Sequence, residues 1–386
     1  MEAMMIRSKF NVVTDGSWGS CGKGLITTAL ADLNRPEIIS TTNMANAGHT
    51  AVHTDGRKFI AKALPSATAL HSWLGDYNPV IVVGPSAAFD LQQMLKEIEV
   101  CDVADYTVIH PRAGVITDEH KAMECDNAVG TKHIASTMQG CGAFLAEKIM
   151  RRKSLKLARD YDELKKYTDA KLLQYAKTQS KIESNSFPEA LHHLLRAGIT
   201  ILHEGSQGFS LDINHGSHYP QCTSRGTTAI QNAADMGVSH LDIGDVYLVI
   251  RPYPIRVGNV IEEGSVVGYS GDCYHDHREM TWAEVAKAAG APEEVMAGEL
   301  TTVTKRLRRV FSFSAVQLKE AVVVNGATKI ALNFANYIDW SCFGTSDYDA
   351  LPKKVFDFIK KIEDIAGIPV TVVGTGPQTN HVCFLE

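Results

Sequence analysis

The sequence predicts an α/β fold: a mainly parallel central sheet flanked by helices, with a P-loop-like phosphate site near its start. Three observations predict it. Short apolar runs alternate with stretches of helical spacing through the N-terminal half. One such run, Phe10-Asn11-Val12-Val13, leads into a glycine-rich segment holding a single basic residue, Lys23. Later apolar runs end at glycine or polar turns, where open α/β sheets place their ligand contacts.

Taken in order, Phe10 to Val13 reads as a strand and Ile26 to Leu33 as the helix behind the glycines. Val80 to Val83, closed by Gly84-Pro85, reads as a buried strand, Ala87 to Glu99 as a helix and Tyr106 to Ile109 as the next strand. Residues 151–197 are charge-dense, with Leu155, Leu164, Leu172 and Tyr175 at helical intervals. They predict a helical insertion outside the sheet or at a subunit contact, most of its charge on a solvated face. Strand character returns at Ile199 to Leu202, Asp245 to Ile250, Ala321 to Val324 and Pro369 to Val373. No linker, repeat or low-complexity tract divides the chain, so residues 1–386 are expected to form one domain.

A hydrophobic fraction of 45% allows a sizeable core, and a net charge of −6 argues against bulk binding to nucleic acid. The eight cysteines contain no C-x-x-C pair, which fits reduced thiols in the cytoplasm. The N-terminus lacks an apolar leader, and no run is long enough to span a membrane.

The glycine segment is where the chemistry begins. Gly16, Gly19, Gly22 and Gly24 let backbone N–H groups converge on phosphate oxygens, and a helix N-terminus behind them favours negative charge. The common P-loop pattern needs glycine where this chain has Ser17 and a hydroxyl where it has Gly24, so a glycine-rich surface turn remains open on this segment alone.

A second stretch, Asn46-Ala47-Gly48-His49-Thr50, joined to the first, resembles the adenylosuccinate synthetase family. That family's first loop is close to QWGDEGKGK, followed by NNAGHT and an L-P-S segment. The corresponding pieces here are SWGSCGKGL, MANAGHT and Ala63-Leu64-Pro65-Ser66. The resemblance runs along almost the whole chain.

From it follow expectations for individual residues. Lys23 and the loop residues Ser17, Trp18, Gly19, Cys21, Gly22 and Gly24, with Thr50, would meet the donor nucleotide. His49, by itself as consistent with a structural role, becomes the acid that assists departure of a 6-phosphoryl group. Gly48 would offer its carbonyl to Mg²⁺, and Asn46 would contact the purine nucleotide. Ser136 and Thr137 belong to a hydroxyl- and glycine-rich loop, either a plain turn or, by resemblance, the seat of the acceptor 5′-phosphate. Arg151 matches the arginine that this family sends across a homodimer interface. Gln207 and Thr223 match further nucleotide contacts. Thr302, Val303, Thr304 and Arg306 match the loop that holds L-aspartate, with Lys305 in place of its glycine and Arg308 facing the donor phosphates.

Two departures shape the functional expectation. The segment Thr328-Lys329-Ile330-Ala331 is matched to the family's T-K-L-D, whose aspartate accepts from guanine. Alanine leaves those donors unpaired, at ~1–3 kcal/mol, so ATP or dATP is expected in place of GTP. Lys329, Ala331, Gly374 and Gly376 would surround the donor base. The family's catalytic aspartate is Ser20 here, a poor base and a weak Mg²⁺ ligand. Three readings follow: a lost enzyme that binds nucleotide, an enzyme with a displaced base, or one acting on a different purine. A 2-amino purine brings bulk and donors beside N1, for which serine leaves room. That pairing resembles the phage 2-aminoadenylosuccinate synthetases, which join L-aspartate to dGMP. The expected function is this ligation; turnover of IMP and non-catalytic nucleotide binding are the alternatives. A phage-encoded enzyme of this kind would work in the host cytoplasm.

Overall fold

The computed structural model describes residues 6–126, 130–292, 294, 296, 298–301 and 305–385. Its centre is a nine-stranded sheet made of β1 (Phe10–Asp15), β2 (Ile38–Thr41), β3 (Val80–Val83), β4 (Thr107–Ile109), β5 (Ile201–Glu204), β6 (Ile243–Ile250), β7 (Lys329–Leu332), β8 (Val370–Gly374) and β9 (Val382–Phe384). The spatial order is β9-β8-β7-β6-β1-β5-β2-β3-β4. Every neighbouring pair is parallel except β8 with β9.

Parallel strands covered on both faces are apolar nearly throughout, and β1 is buried over its whole length. Its side chains alternate between two cores. Phe10 and Val12 join Ile201, Val246, Leu248 and Ile330 on one face. Val13 joins Ile39, Leu202, Tyr247 and Val249 on the other. The expected α/β class is thus the observed one.

The helix after the glycines, α1, runs Lys23–Asn34 and begins inside the glycine segment, earlier than its apolar spacing suggests. The stretch from Ala87 divides: Ala88–Phe89 is a short strand, and the helix proper is Leu91–Val100, capped by Asp90 accepting from the Gln93 amide. Within residues 151–197, the helices Ala170–Ser180 and Phe187–Arg196 bury Leu172, Leu191 and Leu194 in the first core.

Residues 321–324 are not a strand. They are the end of the helix Ala315–Asn325, which starts at a Ser314 cap and stops at Gly326. Leu318, Ala321, Val322 and Asn325 are buried while Val323 is 77% exposed, a helical spacing. The sheet position expected for this run belongs to Lys329–Leu332.

The six strands β1, β2, β5, β6, β7 and β8 release their loops at the same edge of the sheet, because they run in parallel. That edge carries the site.

Candidate active site

The floor of the site is the turn from β1 to α1. Asp15, fully buried, holds it in shape. Its Oδ1 accepts from the amides of Ser17 (2.9 Å) and Gly19 (3.2 Å), and its Oδ2 from the amide of Cys21 (3.0 Å). The Lys23 ammonium lies 3.3 Å from Oδ2 and donates to the Gln207 carbonyl at 2.7 Å. The amides of Ser17, Gly19 and Cys21 are therefore committed to a carboxylate, and a phosphate is left the start of α1.

Two glycines fix what packs on this turn. Gly22 has φ 82, and a Cβ there would fall 2.0 Å from Asn333 Nδ2. A Cβ on Gly24 would fall 2.8 Å from the Thr50 carbonyl, so only glycine lets the strand His49–Val52 lie on α1. That approach brings His49 over the lysine loop. His49 Nδ1 lies 3.2 Å from Glu204 Oε1, at ion-pair distance. Ser66 donates to Glu204 through its amide (2.6 Å) and its hydroxyl (2.8 Å). Burial pushes the Glu204 carboxyl up, but His49 and the Ser66 donors together outweigh it and hold the group below its ordinary value.

A cleft of about 380 Å³ opens above these residues, lined by Trp18, Gly19, Ser20, Gly22, Lys23, Gly24, Asn46, Gly48, His49, Thr50, Thr137, Gln207, Glu299 and Arg308 among others. Ser20 has φ 59, a left-handed backbone uncommon outside glycine. Its hydroxyl accepts from Arg308 Nη1 and its carbonyl from Arg251 Nη1 at 3.0 Å. Next to the cleft, a cavity of about 140 Å³ shares Trp18, Asn46, Thr137 and Gln207 and adds Ser136, Thr223 and Arg256. Asn46 Oδ1 is buried there with no hydrogen-bond partner among the described residues, an acceptor open to a ligand. Arg306 donates to the carbonyls of Ala135 (2.9 Å) and Ser136 (3.1 Å), fastening the hydroxyl loop from above.

A third cavity, about 360 Å³, adjoins Gly22, Thr50, Asn333, Phe334, Asn336, Tyr337, Trp340, Phe343 and Gly376. Phe334 lines both this cavity and the central cleft. Gly374 sits behind it, where a Cβ would meet Asn333 Oδ1 at 2.1 Å.

Several expected contacts are elsewhere. Lys329 lies at the start of β7, 3.2 Å from Asp245, and Ala331 is fully buried in the second core. Neither lines the third cavity; the loop after β7 does, through Asn333, Phe334 and Asn336. The physical reason is direction: a parallel strand delivers its C-terminal end, not its beginning, to the ligand edge. Ser17 and Cys21 lie beneath the loop, their side chains 2.9 Å apart, and line none of the three cavities. Burial pushes the Cys21 thiol well up. Arg151 is exposed past the helix Cys141–Ile149, outside these cavities. Thr302, Val303 and Thr304 lie outside the described residues.

Sequence reasoning missed Asp15, Glu204, Arg251, Glu299, Asn333, Phe334 and Asn336. An acid closing a buried strand just before a glycine loop was a usable signal for Asp15. The pairing of Arg251 with Glu299 left none, since the partners are distant in sequence. Among the described residues no cluster of three His, Cys, Asp or Glu side chains could hold a metal ion.

A sequence model described as adenylosuccinate synthetase matches residues 12–185 and 155–340. The adenylosuccinate synthetase of Methanococcus maripaludis is 33% identical over 371 residues, covering 95% of this chain and 96% of that one. That of Thermococcus onnurineus is 34% identical over 375 residues, covering 96% and 97%. Among solved structures, the succinoaminodeoxyadenylate synthetase of cyanophage S-2L, bound to dGMP and to dATP as an energy donor, is similar with a TM-score of 0.77. It is 30% identical and covers 97% of this chain and 95% of that one. The fully ligated adenylosuccinate synthetase of Plasmodium falciparum, 19% identical with a TM-score of 0.71 and covering 97% and 99%, shares the fold. The chain belongs to the adenylosuccinate synthetase family, ligases that form a carbon–nitrogen bond.

Proposed function

We propose that this ligase joins L-aspartate to C6 of dGMP at the expense of ATP or dATP, giving N6-succino-2-amino-2′-deoxyadenylate for 2-aminoadenine DNA synthesis. The observation that carries the reading is Ser20. Ser20 lines the cleft, is short and neutral, and has its hydroxyl held by Arg308. The space and polarity suit a 2-amino group beside N1, where a carboxylate would crowd it. Likeness to a structure bound to dGMP and dATP supports the same substrates here.

The γ-phosphoryl group passes to O6 of the purine as the N1 proton is lost to water, leaving ADP or dADP. The aspartate amine then attacks C6, and phosphate departs with the O6 oxygen. Lys23 faces the transferring charge from the loop, held by Asp15 and Gln207. His49, oriented by Glu204, delivers the proton to the leaving oxygen. Asn46, Ser136, Thr137, Gln207 and Thr223 hold the nucleotide, and Arg306 stands between its loop and L-aspartate.

Mg²⁺ binds hard oxygen ligands; of the residues lining the cleft, Gly48 would offer its carbonyl, and Ser20, whose hydroxyl already accepts from Arg308, would be the weaker ligand. These fit a cation whose other ligands are phosphate oxygens, where it would offset the developing negative charge.

The donor base belongs in the third cavity, where four aromatic rings offer stacking and Asn336 an amide edge. An amide both donates and accepts, which matches the N6 amine and N1 of adenine. Arg151, exposed on one protomer, would reach the acceptor phosphate site of a second in a homodimer. No helix among the described residues is long and apolar enough to cross a membrane.

The second reading is IMP ligation, favoured by the archaeal relatives. Phosphate release with Mg²⁺ and L-aspartate, crossing dGMP, GMP and IMP against ATP, dATP and GTP, separates the two. Turnover with dGMP and an adenine donor is expected; turnover only with IMP and GTP would sink the proposal.

A further inference from the structure

The catalytic steps leave the charge pair of Arg251 with Glu299, at the wall of the cleft, unused. Arg251, at the end of β6, has a fully buried side chain. Its Nη2 lies 2.5 Å from Glu299 Oε1 and its Nη1 3.2 Å from Glu299 Oε2, a two-pronged contact. The guanidinium is fully buried while the Glu299 side chain stays 24% exposed at the cleft, so the cost of losing water falls on Arg251, and its placement there calls for a reason beyond stability.

Its neighbours supply one. On the donor side, the guanidinium lies 4.0 Å from the centre of the Phe334 ring, the wall shared by the cleft and the donor-base cavity. Phe334 has φ 62, so its place is imposed by its surroundings. Tyr337, another residue of that cavity, donates to Glu299 Oε1 at 3.1 Å. On the acceptor side, Arg251 holds the Ser20 carbonyl. The Glu299 carbonyl accepts from the Arg308 amide at 2.9 Å, and Arg308 binds the Ser20 hydroxyl. Two aromatic residues of the donor seat and both tethers of Ser20 thus meet at one ion pair.

We infer that Arg251 and Glu299 are positioning residues that couple the donor-base cavity to the acceptor side of the cleft. A base seated against Phe334 and Tyr337 fixes the guanidinium and the carboxylate, and through them the orientation of Ser20 and Arg308. The two nucleotides then bind cooperatively, and by reciprocity each raises affinity for the other by the same factor. This rests on the assignment of the donor base to the Phe334 cavity.

The test is calorimetric titration of the full chain with dGMP, alone and with the non-hydrolysable β,γ-imido analogue of ATP. In the wild type the analogue is expected to tighten dGMP binding about tenfold. Glu299→Gln keeps the shape and removes the charge; the factor is expected to fall to about one while each ligand alone binds within about threefold of wild type. Tyr337→Phe removes one hydroxyl and preserves folding; it is expected to cut the factor to about threefold or less. A merely structural pair would lower melting temperature and leave the factor intact. Retention of the wild-type factor in Tyr337→Phe, or its absence from the wild type, overturns the inference. Failure of the wild type to turn over dGMP with ATP is a separate result: it sinks the proposed reaction, while a measured factor still judges the coupling.

Discussion

The carboxylate of Asp15 lies 3.3 Å from the ammonium of Lys23, and both side chains are buried beneath the glycine loop. One carboxylate therefore sets the loop's shape through three amides and also fixes the Lys23 ammonium, the cation proposed to meet the transferring phosphoryl group. Asp15→Asn breaks the charge pair and turns an amide N–H₂ toward at least one loop N–H. A loss of about 3–5 kcal/mol is expected, as for other broken buried pairs. Urea unfolding measures it, and a change under 1 kcal/mol, about the worth of an exposed pair, would count against this role.

His49 is expected to act on the departing oxygen. His49→Asn should lower kcat by about 10²–10⁴ while dGMP affinity stays within a few-fold. Single-turnover ADP formation would then remain faster than release of the succinylated product. Equal losses in affinity and kcat would instead make His49 a binding residue.

Glu204 makes a pH prediction. Its folded-state value lies below its ordinary one, so the unfolded chain holds the proton more tightly. The resulting stability is fully present above the ordinary carboxylate value of about 4.3 and is lost as pH falls through the lower folded value. Glu204→Gln should therefore show a shallower loss of stability on acidification below that point. Denaturant midpoints measured at stepped pH check the slope.

Asn336 is expected to choose the donor base. Asn336→Asp replaces a two-way amide with an acceptor-only carboxylate, which suits N1–H and N2–H of guanine. The ratio of kcat/KM for ATP over GTP should fall at least tenfold, in line with ~1–3 kcal/mol for each misplaced donor or acceptor. An unchanged ratio would place base selection elsewhere in the cavity.

Ser20 is expected to choose the acceptor. Ser20→Asp puts a carboxylate next to Arg308 and, in the proposed pose, beside purine N1. Activity should move from dGMP toward IMP, read as kcat/KM for the two with one donor. Loss of dGMP turnover with no gain on IMP would show that the second substrate needs further changes.

How much of this was legible varied with how local the signal was. The parallel sheet followed from apolar runs buried on both faces, as β1 shows, and the glycine loop from its own composition. Ala321 to Val324 misled because Ala-Val-Val-Val has strand composition in a helical place. Only the Ser314 cap and Gly326 stop frame it as the end of a helix. The sequence predicts donor-base contacts at Thr328 to Ala331 from a four-residue match to T-K-L-D that keeps only the first two residues. The direction of β7, invisible in a short match, puts Asn333 and Asn336, not Lys329 and Ala331, on the lining of the cavity proposed for that base. Arg251 and Glu299 meet only in the folded chain.

The close approaches at Gly22 and Gly24 also bear on how such an enzyme can change its diet. At both positions neighbouring residues occupy the room a side chain would need, so neither can be used to tune recognition. Ser20 stands between these fixed points and the sheet, with its backbone pinned and its side chain facing the cleft. If Ser20 reads the acceptor as proposed, evolution can exchange that one side chain while the glycine loop around it keeps its backbone geometry, as a lock is re-keyed by changing a single pin.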